Sequence, residues 1–166
     1  MKGPERWSYN DATVVNKALL DGSDLSIAIV VARFNEHVTS KLLAGAERSA
    51  TEHSVGKTEV FHVPGSFELP VVAQALADTE RYDAVVCLGA VVRHETDHYT
   101  HVATQAAWGI QQASLETGVP CVFGVLTCDT DEQALARAGG PGERNAGAEA
   151  VEAAIETALL LRGIGE

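Results

Sequence analysis

No stretch of this 166-residue sequence approaches the run of about 18 apolar residues that a membrane-spanning helix needs. The opening segment, MKGPERWSYN, also lacks the apolar core of a secretory signal. Basic residues are scarce, with 12 Lys and Arg against 23 Asp and Glu, for a formal net charge of −11. That balance argues against nucleic acid or an anionic membrane surface as the main partner. A small anionic substrate would need a local cation or a helix N-terminus to hold it. Cysteine is sparse as well. Cys87, Cys121 and Cys128 are odd in number, two lie in apolar runs, and no C-x-x-C pair occurs. This favours buried, reduced thiols in a cytoplasmic protein over a disulfide framework, a cysteine metal site or a nucleophile. Repeats and low-complexity segments are missing too. What remains is 46% hydrophobic and 21% charged, with the signs mixed along the chain, as expected of one soluble globular domain.

Residues 1–24 are polar and irregular and read as an arm ahead of a single domain over residues 25–166. Beyond the arm, apolar runs of strand length alternate with helical patterns. LSIAIVVA, at residues 25–32, is almost continuously apolar and rich in β-branched side chains, as befits a strand covered on both faces. Val38, Leu42, Leu43, Ala46 and Ala50 then follow at helical spacing, with Asn35 as cap and Gly56 as stop. TEVFHV (residues 58–63) is a second strand, PGSFELP a loop, and Pro70 opens a helix. DAVVCLGAVV (residues 83–92) is a third strand. A helix from about Thr96 lines one face with Tyr99, Val102, Ala103, Ala106, Ala107 and Ile110 and stops at Thr117-Gly118. VPCVFGVLT is the fourth strand. Thr130 and Gln133 form a capping box for a short helix to about Ala138. After the loop GGPGERNAG, a last helix buries Val151, Ile155, Ala158 and Leu159.

Such alternation predicts an α/β fold of three αβα layers, a flavodoxin-like open sheet of mainly parallel strands. In these sheets ligands sit beyond the carboxyl ends of the strands. Phe34-Asn35, Ser66-Phe67-Glu68 and His94 to His98 all follow strands and become the candidate site. The last of these contains His94-Glu95-Thr96-Asp97-His98, a literal H-E-x-x-H. A zinc protease needs both histidines one turn apart in mid-helix, facing one metal. Here His94 comes directly off a strand, so that geometry is lost, even with His101 as a third donor. His98 belongs in the first turn of the following helix. The positive helix end disfavours an imidazolium, and a neutral imidazole can take or give a proton.

Four segments together resemble one family, the lumazine synthases of riboflavin biosynthesis. They are IAIVVARFNEHVTSKLLAGA, VPGSFELPVVAQALA, YDAVVCLGAVVRHETDHYTHVATQAA and GVPCVFGVLTCDTDEQALARAG, in family order from about Leu25 onward. The resemblance implies a condensation needing no metal or organic cofactor. In it 5-amino-6-(D-ribitylamino)uracil and 3,4-dihydroxy-2-butanone 4-phosphate give 6,7-dimethyl-8-ribityllumazine, releasing phosphate and water. It further implies that Phe34 stacks on the uracil ring and that Ser66, Phe67 and Glu68 hold the pyrimidine and ribityl groups. Ala90, Val91 and Val92 would line the pyrimidine pocket, Glu95 and Thr96 would grip the phosphate, and His98 would move protons. Phe123 and Arg137 are implied to reach in from a neighbouring subunit, flanking the heterocycle and pairing with the phosphate, in a homopentamer or a multiple of pentamers. Taken without the resemblance, several of these residues read as ordinary structure: Phe34 as an apolar helix cap, Ala90 to Val92 as core, and Arg137 as a cation late in a helix.

The chain departs from the family at two places. Where the family reads R-G-x-T, Arg93-His94-Glu95-Thr96 stands here, so that His94 is expected to alter affinity for the phosphate substrate without abolishing chemistry. The family's N-K-G-A reads Asn145-Ala146-Gly147-Ala148, and the missing lysine has only Arg144 nearby to substitute. The same loop carries Pro141 and is slightly longer than in shell-forming relatives, which favours a free pentamer or a pair of pentamers. Two other function classes compete with the synthase: a catalytically weak paralogue that binds lumazine or flavin or acts as an assembly scaffold, and a zinc hydrolase built on His94, Glu95 and His98.

Overall fold

The computed structural model describes residues 20–165. The expected arm, up to residue 19, lies outside them. The element order is β1 (Ser26–Ala32), α1 (Glu36–Glu52), β2 (Lys57–Val63), α2 (Leu69–Ala77), β3 (Ala84–Val92), α3 (His98–Thr117), β4 (Cys121–Cys128), α4 (Asp131–Leu135) and α5 (Ala146–Gly165). A 3-10 turn, Ser66–Glu68, runs directly into α2. The strands form one parallel sheet in the order β2-β1-β3-β4. The three-layer α/β expectation therefore holds.

Alternation along the central strands builds the two faces. Ile27, Ile29 and Val31 of β1 join Val38 and Leu42 of α1 and Val151 and Ile155 of α5 in one core. The residues between them, Ala28, Val30 and Ala32, pack with Leu69 and Ala73 of α2 and Ile110 and Ala113 of α3. Each β1 residue from Ile27 to Ala32 thus points into one apolar layer or the other, which is why that run shows no polar face. Because β1 lies between β2 and β3, the chain leaves it first to one side and then to the other. The helices that follow diverge at that point, and a crevice opens above the carboxyl ends of the strands.

Several local expectations are corrected. Asn35 occupies the cap position of α1, but its side chain makes no cap bond; the amide donates to the Ala90 carbonyl at 2.8 Å, and the backbone is left-handed at φ 60°. The stop of α1 is not Gly56. The helix ends at Glu52, and Ser54 takes the positive φ of 57°. Gly56 serves a different need, since a Cβ there would collide with the Ser23 carbonyl. Helix α3 begins at His98 rather than Thr96, and it stops where expected, at Gly118 with φ 73°. Ala107 is exposed, and Leu159 is only half-buried. Helix α4 ends at Leu135, short of Ala138. Thr130 does accept from the Gln133 N–H, but the Gln133 side chain reaches one residue further back, to the Asp129 N–H.

The join between α1, the 138–145 loop and α5 depends on one buried side chain that the sequence reading did not single out. Asn145 donates to the carbonyls of Lys41 (3.0 Å) and Gly139 (2.9 Å), and its oxygen accepts from the N–H groups of Gly147 (2.9 Å) and Ala148 (3.1 Å). It is the N-cap of α5 and the clamp on α1 at once. Truncation to alanine is expected to cost about 2 kcal/mol, or roughly 6 °C in Tm, because four backbone groups lose partners in a dry site. A thermal scan with the midpoint unmoved would show that water replaces the amide.

Candidate active site

The crevice is a cavity of about 640 Å³, within the usual range for small-ligand sites. Three strand ends supply it. Phe34 and Asn35 follow β1, Pro64 to Glu68 follow β2, and Ala90, Val91 and Val92 close β3. The remaining wall is the loop into α3 and its first turns, with His94, Thr96, His98, Tyr99, His101 and Val102.

Backbone bonds hold the first wall. The N–H groups of Arg33 and Phe34 donate to the Val63 and Pro64 carbonyls at 2.9 and 3.0 Å, so the β1 and β2 ends stay joined past the sheet. With Asn35 tied to Ala90, the phenyl ring of Phe34 is left on the rim, 67% exposed, and Phe67 stands similarly at 57%. Two uncovered aromatic rings at the mouth of one cavity form an apolar platform that the subunit itself does not fill. The second wall is pinned to the sheet. Ser66 is buried, and its hydroxyl lies where a Cβ on Gly89 of β3 would be. Glu68 reaches back to accept from the Gly65 N–H at 2.9 Å. That bond fixes the carboxylate and leaves its second oxygen with lone pairs for a ligand hydroxyl.

His98 is the first residue of α3, and its N–H donates to the Thr96 hydroxyl oxygen at 3.4 Å. The positive end of a 20-residue helix thus opens into the cavity beside an imidazole and a hydroxyl. His94 lies in the irregular segment after β3, so the two histidines of the H-E-x-x-H string do not share a helical turn. Among the described residues, no group of three His, Cys, Asp or Glu side chains is arranged to hold a metal ion.

Of the residues expected in the site, Phe34, Ser66, Phe67, Glu68, Ala90, Val91, Val92, Thr96 and His98 come together around the one cavity. Glu95 is exposed on the same loop without lining it. Phe123 of β4 and Arg137 after α4 do not line it either; Arg137 donates to the Gln133 carbonyl at 2.8 Å. Arg144 pairs with Glu149 at 3.0 Å, which raises its pKa, and stays away from the cavity. The sequence reading missed Tyr99 and Val102 as lining residues by assigning them to the helix core. His101 carried a signal, since it falls three residues after His98 on one helix face. The thiols match the reading as buried groups: desolvation raises Cys87 and Cys128 and pushes Cys121 up to about 11, which suppresses the thiolate.

The model of the 6,7-dimethyl-8-ribityllumazine synthase family matches residues 24–162. The chain belongs to that family. A Deinococcus radiodurans protein named 6,7-dimethyl-8-ribityllumazine synthase is 55% identical over 151 residues, covering 89% of this chain and 96% of its own. A Gloeobacter violaceus protein of the same name is 51% identical over 158 residues, covering 92% of this chain and 87% of its own. The matched span of the family model contains all three strand ends that build the cavity.

Proposed function

We propose that this chain condenses 5-amino-6-(D-ribitylamino)uracil with 3,4-dihydroxy-2-butanone 4-phosphate to give 6,7-dimethyl-8-ribityllumazine. The observation that carries the reading is the convergence, in one cavity of a chain of this family, of an aromatic ring (Phe34), a carboxylate (Glu68) and an imidazole (His98) from three separate strand ends. The uracil ring stacks on Phe34 against Ala90, Val91 and Val92, and the Ser66–Glu68 turn receives the ribityl chain. The phosphate sits at the start of α3, on backbone N–H groups around Glu95 and Thr96 and on the threonine hydroxyl.

The chemistry then needs a proton carrier more than a strong nucleophile. The pyrimidine amine attacks the ketone carbon, and the carbinolamine loses water to an imine. Phosphate departs as a proton leaves the adjacent carbon, and the second amine closes the ring with loss of another water. In this reading His98 accepts and returns those protons.

Arg137 and Phe123 enter this scheme from a neighbouring subunit of a homopentamer or a multiple of pentamers. Two observations support that assignment. Neither residue lines its own subunit's cavity, and large apolar side chains stand exposed on β4, α2 and α3, with Phe123 at 41%, Val71 at 69%, Trp108 at 64% and Leu115 at 71%.

Given both substrates and EDTA, the purified protein is expected to form fluorescent lumazine at an enzymic rate. Tight lumazine binding without turnover would instead identify a catalytically weak paralogue. Ester or peptide hydrolysis that the chelator abolishes would identify a hydrolase.

A further inference from the structure

The cavity has an electrostatic peculiarity. Among the described residues, none of those lining it is a lysine or arginine. The groups there able to carry positive charge are the imidazoles of His94, His98 and His101. The fixed cation next along the chain, Arg93, is already engaged. Its Nε donates to Asp129 at 3.0 Å, and its guanidinium lies 4.2 Å over the Tyr99 ring. The carboxylate of the lining, Glu68, works against an anion. A phosphate group entering from solvent therefore meets, on this subunit's own walls, backbone dipoles, neutral polar groups such as the Thr96 hydroxyl, and, as groups able to carry positive charge, the imidazoles.

We infer that His94 is the phosphate-gripping cation of this subunit's site, making affinity for the phosphate-bearing substrate dependent on the protonation of its ring. This rests on the reading under Proposed function and adds to it a specificity residue. The loop between β3 and α3 leaves His94 exposed and outside the helix while it lines the cavity. It stands four residues before His98, beyond the first turn, where the helix end acts most strongly against an imidazolium. His98 is reserved for proton transfer, and His101 is fixed one turn further into α3.

The other titratable groups of the cavity are Glu68, from the turn before α2, and His98, Tyr99 and His101, from α3. Arg93, Glu95 and Asp97 flank His94 along the chain, and the β1 side contributes Phe34 and Asn35 without charge. An imidazolium attracts a dianion and a neutral ring does not, so binding is tighter at about pH 6 than at about pH 8. A guanidinium from a neighbouring subunit stays charged throughout and supplies only a constant part.

Sulfate is the suitable probe, since it keeps its full charge across this range whereas a phosphate monoester changes its own. The full-length protein and its His94→Gln, His94→Lys and His101→Gln variants are compared at pH 6 and pH 8. For the parent, the inhibition constant of sulfate against the phosphate substrate is expected to rise about tenfold between the two. His94→Gln should raise KM for the phosphate substrate about tenfold at pH 6, leave KM for the pyrimidine within about twofold, and flatten the sulfate profile. His94→Lys should keep sulfate tight and pH-independent. An unchanged phosphate KM in His94→Gln, or a profile that persists there and disappears in His101→Gln, overturns the assignment. Absence of turnover in the parent protein would count against the proposed function instead. Sulfate binding measured directly by calorimetry on the same variants then decides the role of His94 by the same criteria.

Discussion

Replacing His98 by glutamine is expected to lower kcat by about two to three orders of magnitude while leaving both KM values within about threefold. Glutamine keeps a planar, hydrogen-bonding side chain at the first position of α3 and keeps the backbone N–H that donates to Thr96. What it loses is the ability to accept a proton and return it. Loss confined to kcat would thus separate proton transfer from binding. Retention of more than about a tenth of the turnover would remove His98 from the chemistry and move attention to His101, on the same wall of the cavity. The same variant tests the shared site. Arg137→Ala keeps a sound cavity, and His98→Gln keeps a sound Arg137. If one subunit's guanidinium completes another's cavity, co-assembling the two variants in equal amounts regenerates about a quarter of the sites. Activity no higher than the average of the separate variants would mean that each subunit works with its own residues.

The largest stability effect is expected at Gly147, in the first turn of α5. A Cβ at this position would collide with the Leu42 carbonyl of α1, and backbone cannot swing aside as the tip of a side chain can. Gly147→Ala should therefore force α1 and α5 apart, at a cost of about 4 kcal/mol and roughly 10 °C in Tm. Gly163, in the same helix, has nothing within 4 Å of its ideal Cβ. There the identical substitution should leave Tm unchanged or raise it by a degree or two, because alanine is the better helix former. Matching losses at the two positions would contradict the close-contact explanation, which requires a large loss at Gly147 and none at Gly163.

How far the sequence could be read depended on the range of the interactions. Strands β1 and β3 are covered on both faces, so unbroken apolar runs located them to within a residue. The strand-end rule then selected Phe34-Asn35, Ser66–Glu68 and His94 to His98, and the cavity contains all of these except Glu95 and Asp97. Failures came where a side chain leaves its local frame. Asn35 is the helix cap as expected, but its side chain does not serve the helix: its partner is Ala90, 55 positions away. Asn145 bonds to Lys41 across 104 positions, which no local pattern reveals. Tyr99 fits the helical stripe, and only the folded chain shows it lying under the Arg93 guanidinium at the cavity wall. The H-E-x-x-H string was resolved by context, because a helix that begins at His98 cannot contain His94.

At Gly89 the third strand presents only hydrogen to the Ser66 hydroxyl, so the Ser66–Glu68 turn rests directly on the sheet. Two segments distant in sequence are thereby joined like a shim and its seat, and neither can thicken unless the other thins. Evolution or an engineer seeking to admit a bulkier heterocycle would have to alter both positions in step, and a survey that varied one residue at a time would wrongly report the turn as immutable.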